Sequence, residues 1–232
     1  MHGAILHGEQ WLSEKYRRSA TTYYKTTSGV GRALLALEGR PIRVGVIGLG
    51  AGSISVYGDA DDVYRFYDID PDVVHVANTY FTYLKDSPSR IEIVLGDARL
   101  NMEREAPRQF DVLAIDAFSG DSIPVHLITY EAVGLYLRHM KPDGVMAFHV
   151  SNRFLDLKPV LLAIAEKHGL EYAYIHETGE EGGTTSDWVL VARNKPFIYQ
   201  KGIAEAIEPV LPRPDWNLWT DDFNNLVQVF KY

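Results

Sequence analysis

From Pro41 onward the chain alternates short, β-branched apolar runs with amphipathic stretches of helical length. Residues 42–47, 63–69, 91–95, 110–115 and 145–150 read as strands, since runs of this length bounded by Gly, Pro or acidic residues suit strands buried on both faces. Between them, 71–84, 130–140 and 158–168 predict helices, the first with Pro71 at a first-turn position. This alternation predicts an α/β domain: a mainly parallel, Rossmann-like sheet with helices on both faces. Right-handed crossovers then place the strand C-termini along one edge. Two closing strands are expected at 171–175 and 188–192, joined by a Gly- and Glu-rich loop over 177–185 that is either solvated or a flap. Residues 1–28 read differently. Gly3, Gly8, the Thr21-Thr22-Tyr23-Tyr24 cluster and Thr26-Thr27-Ser28-Gly29 predict a short β-hairpin segment, too small to fold alone, ahead of one domain over 29–232.

In an open α/β sheet, ligands sit beyond the strand C-termini where the strand order reverses. The polar residues that end the strands therefore carry the candidate chemistry. Gly48-Leu49-Gly50-Ala51-Gly52 follows the first of these strands and is expected to lead into a helix. Its glycines (Gly48, Gly50 and Gly52) permit a tight turn and close approach of a ligand to the backbone. The Gly-x-Gly-x-Gly spacing lacks the third position of the dinucleotide pattern and suits a nucleoside without a pyrophosphate. Asp68 lies 20 residues beyond Gly48, where an acid accepts hydrogen bonds from ribose hydroxyls. Asp97, with its neighbour Ala98, follows the third strand and is placed to meet an adenine amino group. Asp116 ends the fourth strand. Asp121 follows in the same loop, either beside the site or capping a turn before Pro124.

The chain has 232 residues with 23 Lys and Arg against 31 Asp and Glu, a formal charge of −8. That argues against a nucleic-acid partner, while an acidic cleft favours a cationic small substrate. Zero cysteines exclude disulfides, thiolate metal sites and a cysteine nucleophile. The first residues carry neither a basic leader nor an apolar core, and no later apolar run reaches membrane-span length. A cytoplasmic protein without membrane insertion is expected.

From about Gly3 to Phe230 the chain resembles the polyamine aminopropyltransferases, the spermidine synthases, and within them the bacterial branch often fused behind a membrane transporter domain. The resemblance rests on Leu6-His7-Gly8-Glu9-Gln10, Thr21-Thr22-Tyr23-Tyr24, Gly48-Leu49-Gly50-Ala51-Gly52-Ser53, Tyr67-Asp68-Ile69-Asp70-Pro71, Gly96-Asp97-Ala98-Arg99-Leu100, the run from Asp116 to Pro124 with His126, Ser186-Asp187-Trp188 and Leu218-Trp219-Thr220-Asp221-Asp222. It implies a class I methyltransferase type of fold. It also implies transfer of an aminopropyl group from decarboxylated S-adenosylmethionine, a co-substrate rather than a tightly bound cofactor, to an amine such as putrescine, leaving methylthioadenosine. A homodimer and the absence of a metal are further implications. Position by position, Asp68 matches the ribose-binding acid, Asp97 the adenine acceptor, Asp116 the catalytic aspartate, Tyr24 the tyrosine of the amine channel and Gln10 a glutamine on the donor side. Two positions depart from the pattern. Ala51 stands where the family has an aspartate that grips the donor's amine, and Ser119 stands where the family has its second loop aspartate.

Attack on a sulfonium carbon expels a neutral thioether, so the obstacle is the acceptor's proton; free alkylamines titrate near 10.4, like lysine. Asp121 and Asp187 are the candidates to hold the distal ammonium, while Asp116 faces the reacting nitrogen and takes its proton. Tyr24 and Trp188 are candidate apolar walls for a methylene chain, with Tyr23 assigned to the core. His7, His126 and His149 lack metal-pair spacing, and His149 is given a structural role at a strand end. Two other readings stay open. An S-adenosylmethionine methyltransferase would share the fold and nucleoside acids, and a non-catalytic polyamine or nucleoside sensor would bind without turnover.

Overall fold

The structure, a computed structural model, describes residues 8–117, 124–179, 184–211 and 217–231. His7, Ser119 and Asp121 lie outside the described residues. Eight strands form one sheet: β1 (Arg43–Ile47), β2 (Val63–Asp68), β3 (Arg90–Leu95), β4 (Phe110–Ile115), β5 (Met140–His149), β6 (Glu171–Glu177), β7 (Ser186–Ala192) and β8 (Ile207–Glu208). Their order is β3-β2-β1-β4-β5-β7-β6-β8. The first five run parallel, and β7, β6 and β8 each run antiparallel to their neighbours. The mainly parallel, Rossmann-like sheet expected from the sequence is therefore present.

Alternate residues of the central strands feed two cores. In β4, Leu113 and Ile115 face one cluster, joined by Phe110 from across a register shift, and the cluster also takes buried residues of α5 (Tyr130–His139) and α6 (Lys158–His168). Val112 and Ala114 face the other, closed by α1 (Gly29–Leu35), α7 (Lys195–Ile198) and α8 (Lys201–Ala204). This is the period-2 consequence of a sheet covered on both sides. Asp111 is the one polar residue of the strand. It lies where the β4–β5 register shifts, and its buried carboxylate accepts from the Arg43 backbone N–H, Arg40 and Lys141. That side-chain pairing lets β5 start at Met140, through Pro142, Asp143 and Gly144, earlier than the expected 145.

Three local expectations change. The helix expected over 71–84 is α2 (Pro71–Tyr80) followed by the single turn α3 (Tyr83–Asp86), because Phe81 is extended. A 3-10 turn, Ser53–Tyr57, follows the glycine loop where a helix was expected. The Ser55 hydroxyl donates to the Gly52 carbonyl at 2.8 Å, the local side-chain competition that disfavours a regular helix. The third concerns the hairpin expected over 1–28, of which residues 1–7 lie outside the described residues. Its described part, residues 8–28, contains no strand but a hydrogen-bonded turn over 14–18 and a 3-10 turn at Thr22–Tyr24. Its polar groups bond the body of the domain instead. Gln10 accepts from the Thr82 N–H and donates to Thr82 Oγ1, and Tyr83 donates to the Glu9 carbonyl. The stretch is a strap laid across the junction of α2 and α3, and no partner strand is needed to satisfy it.

Candidate active site

β1 and β4 are neighbours whose onward connections leave in opposite directions, so the crevice beyond their C-termini is the topological switch point. The glycine loop leaves β1 here. Gly48 has φ +98° and donates to the Tyr67 carbonyl at 2.8 Å. Asp68 ends β2, and its Oδ2 accepts from the Leu49 N–H at 2.8 Å while Oδ1 accepts from the Asp70 N–H at 3.0 Å. Two backbone donors thus fix the carboxylate against the loop. Each oxygen keeps a lone pair for a ribose hydroxyl. Asp97 caps α4 (Ala98–Arg104) through the Leu100 N–H, and its Oδ2 meets His126 Nε2 at 3.0 Å. Ala98 is buried beneath. Ile69, Leu95 and Leu100 are close to these acids in sequence and are exposed.

Asp116 follows β4. Its N–H bonds the Ile47 carbonyl at 2.8 Å, which sets its backbone beside the glycine loop. The carboxylate is almost wholly buried and engaged on both oxygens: Oδ2 accepts from the Tyr24 hydroxyl, and Oδ1 meets His149 Nδ1 at 2.6 Å. Tyr23 also hydrogen-bonds Asp116. Burial first, then the charge of Asp116, pushes both tyrosine hydroxyls well above the usual phenol range, so both serve as donors at neutral pH. The turn that delivers them is held by the Tyr57 hydroxyl, which donates to the Tyr24 carbonyl at 2.5 Å. Trp188 Nε1–H donates to the Tyr23 carbonyl at 3.1 Å. Thr22, buried just before them, sits at φ +52°, a left-handed conformation that is uncommon for a β-branched residue.

The other candidates are placed as follows. Gln10 spends its amide on Thr82 and the Arg17 carbonyl, so it ties down the strap. Trp188 is fully buried and stacks on His149 at 4.7 Å between ring centroids. It supports one face of the imidazole, at the position expected to supply an apolar wall for a methylene chain. Asp187 accepts from the Tyr174 hydroxyl at 2.6 Å and from His176 Nδ1 at 2.8 Å. Burial alone would raise its pKa, but these donors outweigh it and hold the carboxyl below its usual range. Ala51 is buried against Gly8, where an added Cβ would come within 2.7 Å of the alanine Cβ. His149 is the residue that sequence reasoning left out of the site. The usable signal was register: Ile115 pairs with Phe148, so the next residue along each parallel strand, Asp116 and His149, must emerge side by side.

No protein-family model matches the chain. A polyamine aminopropyltransferase from Vibrio vulnificus is 31% identical over 131 residues, 53% of this chain and 42% of that protein. An N-terminal histidine N-methyltransferase from Emericella nidulans is also 31% identical, over 134 residues, 56% of this chain and 23% of that protein. The chain thus matches less than half the length of either curated relative. Among solved structures, spermidine synthase from Thermotoga maritima superposes with a TM-score of 0.57 at 17% identity, over 94% of this chain and 73% of that one. The fold is that of the spermidine synthases, shared with the class I methyltransferases.

Proposed function

We propose that the chain is an aminopropyltransferase that moves the aminopropyl group of decarboxylated S-adenosylmethionine to putrescine or a related amine and releases methylthioadenosine. The observation that carries this reading is the buried Asp116 carboxylate, fixed by Tyr24 and His149 at the switch point beside a glycine loop and ribose-type acid. Asp68 would hold the ribose and Asp97 the adenine amino group. The amine nitrogen attacks the propyl carbon next to sulfur, and the carbon–sulfur bond breaks with its electron pair going to sulfur, leaving a neutral thioether. No acid is needed for that leaving group. The proton lost by nitrogen passes to Asp116, whose two oxygens take three donors from Tyr23, Tyr24 and His149 and keep one acceptor position. Holding the nitrogen in line with the carbon–sulfur bond supplies much of the remaining acceleration. A homodimer, implied by the resemblance, belongs to this reading and is checked by light scattering.

Ala51 favours a second reading. With an apolar residue sealed by Gly8 in the glycine loop, the donor's amine finds no carboxylate there, which weakens the preference for a decarboxylated donor and favours methyl transfer from S-adenosylmethionine. Mass spectrometry of incubations with each donor against putrescine, cadaverine, agmatine and spermidine separates the two. Methylthioadenosine with an aminopropylated amine supports the proposal. Adenosylhomocysteine with a methylated product supports the second reading, and binding without any product leaves a sensor.

A further inference from the structure

Behind Asp116 runs a chain of polar groups that the reaction as described does not use. His149 Nδ1 lies 2.6 Å from Asp116 Oδ1, and its Nε2 lies 2.8 Å from Ser151 Oγ, which in turn accepts the Asp187 backbone N–H at 2.7 Å. The imidazole is nearly buried and is stacked between Tyr23, at 4.4 Å, and Trp188, at 4.7 Å. An ionised carboxylate can only accept, so Nδ1 must carry a proton. Ser151 Oγ accepts from Asp187 and is free to donate its own proton, so it can satisfy the Nε2 lone pair. Every group is then paired with His149 neutral. The second nitrogen of the ring thus fixes which proton faces the acid, a control exerted through the partner atom.

We infer that His149 is a positioning residue for the reaction: held as the neutral Nδ1–H tautomer by Ser151, it aims the Asp116 carboxylate and keeps one net negative charge on the pair. This rests on the proposed role of Asp116. With His149 neutral, the Asp116–His149 pair is an anion that attracts an ammonium group and can take its proton. A second proton on Nε2, accepted by Ser151 Oγ after its hydroxyl rotates, leaves the pair neutral and unfit for either task. Among the described residues, the charged or titratable groups facing the ring include Asp116 from the end of β4, and Tyr23 with Tyr24 from the strap. From β7 come the Trp188 ring and, through Ser151, the backbone of Asp187. The Asp187 carboxylate itself is turned to Tyr174 and His176.

The test compares wild type, His149→Asn and His149→Leu. Asparagine can donate from the Nδ1 position yet cannot titrate. His149→Leu is expected to lose about 10²-fold in kcat, the scale of a misplaced catalytic group, with a smaller change in KM. His149→Asn is expected to recover to within about tenfold of wild type. Equal kcat in all three proteins, or no recovery in His149→Asn over His149→Leu, would overturn the inference. Nitrogen-15 NMR of wild type supplies a readout independent of turnover. A protonated Nδ1 and bare Nε2 on His149 at neutral pH supports the assignment, and the reverse tautomer overturns it. If wild type transfers nothing to any amine, the functional reading fails, and this spectrum alone decides whether His149 holds Asp116 as stated.

Discussion

A Cβ added to Gly48 would lie 2.4 Å from the backbone oxygen of Asp116 and 2.9 Å from its carbonyl carbon. The glycine loop and the acid are therefore packed backbone to backbone, and the side chain of Asp116 is aimed by a contact that only glycine allows. Gly48→Ala must strain a backbone at φ +98°, at about 1–2 kcal/mol, and push apart two strand ends, at about 1–3 kcal/mol. Gly202 has nothing within 4 Å of an added Cβ, so Gly202→Ala is expected to be neutral or slightly stabilising. Denaturant unfolding of both variants checks the contrast, and an equal midpoint for Gly48→Ala and wild type would refute the packing argument.

In the proposed reading Asp68 carries the donor-binding half of the site. Asp68→Asn keeps the size of the side chain but removes the charge that two backbone N–H groups meet and that the proposed ribose hydroxyls would share. Hydrogen bonds to a charged acceptor contribute about 1.5–3 kcal/mol, so the affinity for an S-adenosyl donor is expected to fall by about 10- to 150-fold. Calorimetric titration measures this directly. Unchanged affinity would remove Asp68 from the nucleoside site.

Trp188 holds the strap as well as the imidazole. Trp188→Ala empties a fully buried site, strips one face from His149 and deletes the bond to the Tyr23 carbonyl. A loss of about 3–5 kcal/mol is expected, or roughly 6–20 °C in Tm for a chain of this size. Trp188→Phe keeps an aromatic face and is expected to lose much less stability. If the tryptophan stabilised the fold only as core, both variants would retain kcat in proportion to the folded fraction. A role in presenting Tyr23, Tyr24 and His149 predicts that Trp188→Ala loses kcat even where it is fully folded.

The sequence discloses the sheet because its central strands are buried on both faces. Runs such as Val112, Leu113, Ala114 and Ile115 admit no other placement, and each ends in the residue that meets the ligand crevice. α6 was legible to the residue, since Pro159 stands in its first turn and Gly169 ends it with φ +67°. What escaped depends on contacts between distant segments. The strap looked β-like because Thr and Tyr favour strands, yet among the described residues no partner strand lies beside it, and its side chains bond Thr82 and Asp116 instead. α4 is too short to show a period and is fixed largely by Asp97 at its cap. Similarly, Trp188 carries no local mark of whether it lines a channel or backs a histidine; only the antiparallel pairing of His149 with Trp188 decides it.

Asp187 gives the molecule an acid-sensitive contribution that can be separated from catalysis. Its carboxyl is mostly buried, which alone would raise its pKa, but the Tyr174 hydroxyl and His176 hold it below the ordinary range. The unfolded chain, where an aspartate titrates near ~3.9, therefore binds more protons than the folded one just below that pH. Stability from Asp187 is fully present above this value and is lost as pH falls through the lower folded value. Asp187→Asn forfeits the charged hydrogen bonds, at about 1.5–3 kcal/mol near neutral pH. Urea unfolding of wild type and Asp187→Asn at pH 7, 5 and 3 should show a constant gap over the first two and a narrowing one at the third. A gap that stays level down to pH 3 would mean that Asp187 contributes by shape alone.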